Sequence, residues 1–433
     1  MKISADALGA RLAGELDAGS LDSNPAALAA HAVDGKIPSL LCLPSTPEQV
    51  SWILRVSAEA GAAVVPWGGG TSMRLGNIPR RVDVVIALKN MTGLIEHDDA
   101  NLTATVQAGM RVASFEEILG RRRQFLPVDP PHPERATIGG IVAANVNGPR
   151  RTMYGGVRDL VVGMKMVLAT GERIKTGGKV VKNVAGYDLG KLFIGSLGTL
   201  GIITEATFRM ALLPETAASF VASGSLDRCG QFVAELSRSP LLPAAITIFS
   251  PGVVDIFGLD FQTPAVAVWV EGFEAAVARH LHDLGAIAGS AGMTGHVLGA
   301  ESHQRLWEEI RDFGADDTGV LYRLTVPAGS VPEILAGFSR DAGEAVCYIA
   351  HAATGTIHVS MAKGRPAVQW FSRLADLARN CKGHVVMAAA PAELKQGIDV
   401  WGPAPPGVSL MREIKRRFDS QGVLNPGRFV AAL

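Results

Sequence analysis

Apolar residues in the first half of the chain form short runs separated by glycine-rich segments. Continuous or alternating apolar runs of a few residues are typical of strands. They predict strands at residues 40–43, 62–65, 82–88, 102–108, 161–169, 172–175 and 202–208. Capping boxes, in which a polar residue and the residue three positions later bond each other's backbone, predict helices that start at Thr46 and Ser114.

At about residue 217 the pattern changes to short strands that alternate with longer amphipathic segments. Strands are predicted at 219–222, 245–249, 265–270, 322–326, 346–350, 356–361 and 385–387, and helices at 226–237, 273–284, 331–338 and 367–380. The chain is therefore expected to be α+β. Its predicted parts are a helical segment at 1–37, a first domain at 38–216, a second domain on an antiparallel sheet at 217–400 and a tail at 401–433.

Composition narrows the class of protein. The chain has 433 residues, of which 48% are hydrophobic and 19% charged, so it is expected to bury large cores in two or three domains. Lys plus Arg balance Asp plus Glu at 41 each, which argues against a nucleic-acid partner. No apolar run reaches the roughly 18 residues of a membrane span, and residues 1–30 lack the order of a secretory signal. We expect a cytoplasmic protein that lies at the inner membrane, if at all, through partners.

Three glycine-rich segments lie in the first half: Pro66–Ser72, Thr137–Gly148 and Gly195–Thr204. Successive glycines after a strand expose backbone N–H groups, which form a concave site for a phosphate. Taken singly, each segment is also typical of a plain turn or of tight helix packing. No segment has the G-x-G-x-x-G spacing of an NAD site. Together they predict a large, partly anionic ligand.

The order of these motifs resembles a known family. P-W-G-G-G-T-S, A-T-I-G-G-I-V-A-A-N, Y-G-G-V-R-D, V-K-N-V-A-G-Y-D-L-G-K-L (181–192) and G-S-L-G-T-L-G-I-I-T resemble the FAD-binding domain of the vanillyl-alcohol oxidase and p-cresol methylhydroxylase superfamily. Residues 410–428 are similar to the tail of its 2-hydroxy-acid dehydrogenase branch. The resemblance implies two α+β subdomains around an extended FAD, an α+β cap domain over the flavin, and a tail that returns to the FAD domain.

The resemblance also implies which residues hold the cofactor. Those assigned to FAD are Pro66, Gly68, Gly69, Gly70, Thr71, Ser72, Thr137, Gly139, Gly140, Asn145, Gly148, Gly198, Gly201, Ile203 and Asn425. Some relatives bind FAD covalently through a histidine of the glycine loop. This loop has Thr71 and no histidine, so non-covalent FAD is expected.

Within that branch the chain is most similar to the smaller FAD-binding subunits of glycolate oxidases, which work beside a second flavin subunit and an iron–sulfur subunit. The implied reaction oxidises a small 2-hydroxy acid, glycolate or D-lactate, to the 2-oxo acid by hydride transfer to FAD. The alternative is a flavin-binding subunit that relays electrons or stabilises the assembly while a partner oxidises the substrate.

Candidate catalytic residues lie in the second domain. His351 to His358 resembles the relatives' H-x-G-D-G-N-x-H motif, whose histidines ligate a divalent metal, but its Gly, Asp and Asn are replaced here. The E-H-G that completes that site is also missing, and Lys382-Gly383-His384 is the nearest stretch. A metal is therefore not predicted, with His351, His358 and His384 as weak candidate ligands. His351 and His358 stay candidates for the base, and Arg323 for the group that binds the substrate carboxylate, although a salt-bridged strand arginine is equally consistent with the pattern.

Overall fold

The computed structural model describes residues 4–178, 188–251, 253, 262–315, 319–341, 346–362 and 366–433. Its strands are β1 (Leu21–Asp22), β2 (Leu40–Cys42), β3 (Val64–Trp67), β4 (Val84–Ala87), β5 (Leu94–Asp98), β6 (Thr103–Gln107), β7 (Gln124–Phe125), β8 (Val161–Val167), β9 (Arg173–Gly177), β10 (Ile202–Arg209), β11 (Ala211–Leu212), β12 (Thr216–Ser223), β13 (Ala245–Phe249), β14 (Ala265–Gly272), β15 (Thr294–Leu298), β16 (Val320–Thr325), β17 (Cys347–His351), β18 (Thr356–Met361) and β19 (His384–Ala389).

Helices connect and cover these strands. They are α1 (Ala5–Leu12), α2 (Pro25–Ala30), α3 (Pro47–Glu59), α4 (Val112–Gly120), α5 (Ile138–Ala144), α6 (Arg151–Tyr154), α7 (Val157–Leu160), α8 (Gly190–Phe193), α9 (Leu226–Arg238), α10 (Glu274–Ser290), α11 (Ala300–Asp312), α12 (Val331–Asp341), α13 (Ala367–Asn380), α14 (Ala392–Lys395) and α15 (Val408–Phe418). Within the described part of the chain, no helix is both long enough and apolar enough to cross a bilayer.

The two larger sheets of the first half share one hydrophobic core, and β7 and β11 form a separate two-stranded sheet. Of the two larger sheets, the smaller has the order β1-β2-β4-β3, with β2, β4 and β3 parallel, and the larger one is antiparallel with the order β5-β6-β10-β8-β9. Buried residues of both sheets and of α3, α4 and α5 belong to one cluster. Helix α5 packs into this shared core. Both of its ends lie near the glycine loop that follows β3.

The two predicted helix starts have different outcomes. The Thr46 hydroxyl accepts a hydrogen bond from the Gln49 amide at the start of α3, which confirms the first. The prediction at Ser114 is wrong, because α4 begins at Val112 after Arg111 and has no side-chain cap. Its first amides bond the carbonyls of Ala136 and Pro133 instead, so a neighbouring segment replaces the hydroxyl.

The second half is built on one antiparallel sheet of eight strands, with the order β15-β12-β14-β13-β17-β18-β16-β19. Helices α9, α10, α12 and α13 cover one face and share its largest core. Helix α11 covers part of the other face. The remainder of that second face is turned towards the first half.

The tail crosses back to the first half. After α15, Val423 and Leu424 are buried in the core of the first two sheets. Backbone hydrogen bonds of 2.8 Å join Val64 to Val423 and Asn425 to Val64, so the tail runs beside β3. This pairing brings Asn425 next to the glycine loop, which starts where β3 ends.

Candidate functional site

A cleft of about 710 Å³ runs between the glycine-rich segments of the first half. The glycine loop after β3 forms one wall, and α5 and the loop before β10 form the others. Asn425 and Arg428 of the tail complete the lining.

The glycine loop has the properties of an anion site. Among the described residues, the amides of Gly68 to Ser72 donate to no protein acceptor, so these N–H groups are available to a ligand. Gly70 has a φ of +78°, a left-handed conformation that favours glycine. A Cβ on Gly69 would lie 1.7 Å from the carbonyl oxygen of Arg135. The loop therefore keeps its shape only with glycine at these positions.

The second wall comes from α5. The Thr137 hydroxyl caps this helix by accepting a hydrogen bond from the Gly140 amide. A Cβ on Gly68 would lie 2.1 Å from the Thr137 Oγ1, and one on Gly139 would lie 2.8 Å from the Cβ of Ala108. Small residues thus let two backbone segments close on one space from opposite sides.

The loop before β10 and the tail close the cleft. A Cβ on Gly198 would lie 2.4 Å from Pro66 Cγ, so this loop packs directly on the glycine loop. The Asn425 amide group donates to the Leu197 carbonyl at 2.7 Å. Its Oδ1 is buried and has no partner within the described residues. An acceptor left free in this way suits a ligand that carries a hydrogen-bond donor.

Most residues predicted to hold FAD meet in this cleft. Thirteen of the fifteen line it, and the exceptions are Asn145 and Gly148. Asn145 ends α5 in a left-handed conformation, and Gly148 packs against Asp129, where a Cβ would lie 2.3 Å from the Asp129 Cβ. Residues 181–187 of the motif quoted above lie outside the described residues.

The candidate catalytic residues share one face of the cap sheet, the eight-stranded sheet of the second half. Arg323 on β16 is the cross-strand partner of His358 on β18, and cross-strand partners point to the same face. Two residues further along β16, Thr325 pairs with His384, which places His384 on this face too. The His351 ring lies 5.8 Å from the His358 ring, between centroids.

This face is turned towards the cleft. Val386 is the partner of Arg323 on β19, and it packs in a cluster with Ala144 and Leu197. Both of those residues line the cleft. The register of the sheet therefore places Arg323 and the histidines beside the cofactor cleft, on the side of the cap domain.

Burial and neighbouring cations set the charge of this group. Burial lowers the pKa of His351 to about 4, and Asp129 opposes this shift. Burial, followed by His351 and Arg323, lowers the pKa of His358 well below its usual value. Burial and the neighbouring Arg151 lower the pKa of Arg323, which still leaves a guanidinium charged at neutral pH. The group thus has neutral imidazoles beside a fixed positive charge.

These residues do not fit a divalent metal. Arg323 lies on the strand between those of His358 and His384, so a positive charge occupies the middle of the candidate ligand set. In the described ranges, no three His, Cys, Asp or Glu side chains are placed to hold an ion. The His351 Nδ1 is already 3.0 Å from the Thr247 hydroxyl.

A polar cluster joins the two halves beside this group. Arg150 forms a salt bridge with Asp129, and its guanidinium lies 4.7 Å from the Phe125 ring centroid and 5.0 Å from that of Trp269 in the cap domain. The Tyr154 hydroxyl donates to Glu271 of the cap domain. Sequence reasoning missed Asp129 and Arg151, because no motif marks them and only the packing of the halves brings them to the site. It also missed Arg428, although this residue ends the 410–428 motif of the tail.

Comparison with known proteins agrees with this geometry. The family described as FAD binding domain matches residues 38–177, and the C-terminal domain of FAD linked oxidases matches residues 401–429. The chain thus has an FAD binding domain and a C-terminal segment of the kind found in FAD linked oxidases. The chain is 29% identical over 421 residues to glycolate oxidase subunit GlcD of Bacillus subtilis (strain 168), covering 91% of this chain and 89% of that protein. It is 30% identical over 351 residues to glycolate oxidase subunit GlcE of Escherichia coli (strain K12), covering 79% and 85%.

The chain belongs to the FAD-linked oxidoreductase family, and its cofactor is FAD. Among solved structures it is similar to p-cresol methylhydroxylase with substrate bound, with a TM-score of 0.76 and 18% identity over 98% of this chain and 96% of that one. The predicted α+β fold of the p-cresol methylhydroxylase type is confirmed. The free amides of the glycine loop and the free Asn425 Oδ1 fit this cofactor.

Proposed function

We propose that the chain is the FAD-binding subunit of a glycolate oxidase that oxidises a small 2-hydroxy acid, glycolate or D-lactate, to the 2-oxo acid. The observation that carries the proposal is the group of Arg323, His351 and His358 on the cap face beside the FAD cleft. A fixed cation next to neutral imidazoles suits a substrate that has a carboxylate and a hydroxyl group on adjacent carbons.

Arg323 binds the substrate carboxylate in this proposal. A guanidinium offers two parallel N–H donors that match the two carboxylate oxygens and fix the orientation of the acid. Arg151 lies close enough to influence Arg323, so the carboxylate also relieves repulsion between two cations. The α-carbon is then held on the cleft side of the sheet.

His358 accepts the proton of the substrate hydroxyl. It is the direct cross-strand neighbour of Arg323, and its lowered pKa keeps it neutral and able to take a proton. His351 lies beside it and is held by Thr247, which fixes the orientation of its ring. Bound FAD supplies the acceptor for the α-hydrogen, which leaves as hydride.

The names of the relatives support a role within a complex. Both GlcD and GlcE are named as subunits of glycolate oxidase. We therefore propose that this chain works with a second flavin subunit and an iron–sulfur subunit, which receive the electrons from its FAD.

A second candidate function is electron relay without substrate oxidation. It is favoured by the cap face itself, where the described residues offer no metal site to polarise a hydroxy acid. In that case the substrate reacts on a partner subunit, and this FAD only passes electrons.

The isolated FAD-loaded chain separates the two functions. We expect that anaerobic glycolate or D-lactate bleaches its visible flavin absorbance, whereas acetate, which lacks the hydroxyl, does not. A flavin that stays oxidised with both hydroxy acids and bleaches only after partner subunits are added supports electron relay and contradicts oxidation on this chain.

A further inference from the structure

Two buried cations hold the turn that follows the glycine loop. Lys395 Nζ donates to the carbonyls of Arg74 at 2.7 Å and Gly76 at 3.2 Å. Arg428 Nη2 donates to the carbonyl of Met73 at 2.8 Å and to that of Leu75. Four successive carbonyls, 73 to 76, are thus bound from the C-terminal part of the chain.

This arrangement sets the shape of the loop in front of it. Gly76 has a φ of +101°, and a Cβ there would lie 2.8 Å from the Arg428 carbonyl oxygen. The turn and the tail are therefore closely packed at this position. The same Arg428 carbonyl accepts hydrogen bonds from the Asn77 amide and from Trp401 Nε1, each at 3.0 Å. The end of the glycine loop therefore depends on tail residues for its position.

The charges of this assembly do not balance. Lys395 forms a salt bridge of 2.8 Å with Asp34, and both side chains are buried. Arg428 is only 2% exposed, contacts no carboxylate within the described residues, and has an Nε without a partner. A buried cation without a contacting anion costs free energy. Burial lowers the pKa of Arg428 to about 10, and the Asp34 carboxylate only partly opposes this shift.

The missing anion has one evident source. Arg428 lines the FAD cleft, and the turn it holds begins directly after the free amides of Gly68 to Ser72. FAD carries a diphosphate, and a diphosphate is the ligand that such amides bind. We propose that Arg428, supported by Lys395, is a positioning residue for the glycine loop and that its charge is balanced by the diphosphate of bound FAD.

The tail would then control cofactor affinity through charge. This inference concerns the cofactor and is independent of the substrate proposed above. Its test uses the full chain freed of FAD, into which FAD is titrated while flavin fluorescence is followed at several salt concentrations. The variants are Arg428→Gln, which keeps amide donors without the charge, and Arg428→Lys, which keeps the charge.

We expect Arg428→Gln to weaken FAD binding by about tenfold or more and to flatten its salt dependence, since one charge near the diphosphate is gone. Arg428→Lys loses the planar fork that binds two carbonyls but keeps the charge, so it should weaken FAD binding less than Arg428→Gln does and keep the salt dependence of the parent. Equal losses in both variants, or an unchanged affinity and salt dependence in Arg428→Gln, overturn the proposal and assign Arg428 to packing alone.

Asp34→Asn provides a second test with the opposite sign, should the Arg428 variants fold poorly. The amide keeps an acceptor for Lys395 but removes the carboxylate beside the two cations. FAD should then raise the melting temperature of the variant by more than it raises that of the parent. A rise that is equal or smaller contradicts the proposed charge balance.

Discussion

The FAD cleft and the cap face, which we propose to be two walls of one site, are made in different ways. The cleft is formed largely by backbone: Gly68, Gly69 and Gly198 all lie where a Cβ would collide with a neighbouring segment. The cap face is formed by side chains that the register of β16, β18 and β19 places together. The cleft therefore depends mainly on the shape of its backbone, to which we propose that Arg428 adds one charge, whereas the proposed chemistry depends on a few charged side chains.

This difference has a practical consequence. Among the described residues, no hydrogen bond joins Arg323 or His358 to the wall of the cleft. We therefore expect that these two side chains can be changed without disturbing the glycine loops. Changes in the glycine loop must instead avoid the chain contacts that hold its shape. Variants of the glycine loops should therefore change the retention of FAD, whereas variants of the cap face should change the oxidation of substrate.

The largest effect is expected at Arg323. Arg323→Met should lower the rate constant for flavin reduction by glycolate or D-lactate by about 100-fold or more, because the carboxylate loses its charged partner. FAD content should remain that of the parent, since Arg323 is not part of the cleft lining. Stopped-flow absorbance under anaerobic conditions measures the rate constant.

Arg209→Met is the matched control, because Arg209 is an exposed strand arginine at the end of β10. It should leave the rate constant unchanged. Comparable losses in both variants, or loss of FAD in Arg323→Met, would show that the two walls are not independent.

The second effect concerns Thr71 in the glycine loop. Thr71→Glu places a negative charge where the diphosphate is proposed to lie, and should weaken FAD binding by about tenfold to 100-fold relative to Thr71→Gln. The glutamine variant controls for size. Gly69→Val is a poorer probe, since its Cβ would lie 1.7 Å from the Arg135 carbonyl oxygen and would disturb the fold itself. Equal affinities of the Glu and Gln variants would place the diphosphate elsewhere.

A smaller effect is expected on stability as a function of pH. The pKa of buried His351 is lowered from 6.5 to about 4, so between these values the unfolded chain binds more protons than the folded one. Stability should therefore fall as pH falls from about 6.5 to 4. His351→Asn should flatten this part of the profile, measured as melting temperature against pH.

His303 sharpens that test. Its pKa is also lowered to about 4, mainly by burial, but its Nδ1 faces the Ser219 hydroxyl at 2.7 Å. Four strands of the sheet separate Ser219 on β12 from Arg323 on β16. His303→Asn should flatten the stability profile in the same way and leave flavin reduction unchanged. A loss of flavin reduction in His303→Asn would remove the distinction between the two histidines.

The cofactor wall could be predicted from sequence because its residues are contiguous. Gly68 to Ser72 and Thr137 to Gly140 each form a local motif, and the glycines in each motif indicate the backbone conformation from the sequence alone. The cap face could be predicted only as separate candidates, since strand pairing brings residues 323, 358 and 384 together. Helix α11 was missed because its apolar Leu306, Trp307 and Ile310 stand among charged residues, and β15 because its pattern is short.

The central claim is that the cap face binds a carboxylate next to the flavin. Oxalate tests it directly, because it has the carboxylate of the substrate and no α-hydrogen to lose. We expect a saturable change in the visible flavin spectrum when oxalate is titrated into the FAD-loaded chain, and no change in Arg323→Met. An unchanged spectrum in the parent, or equal changes in parent and variant, would contradict the account.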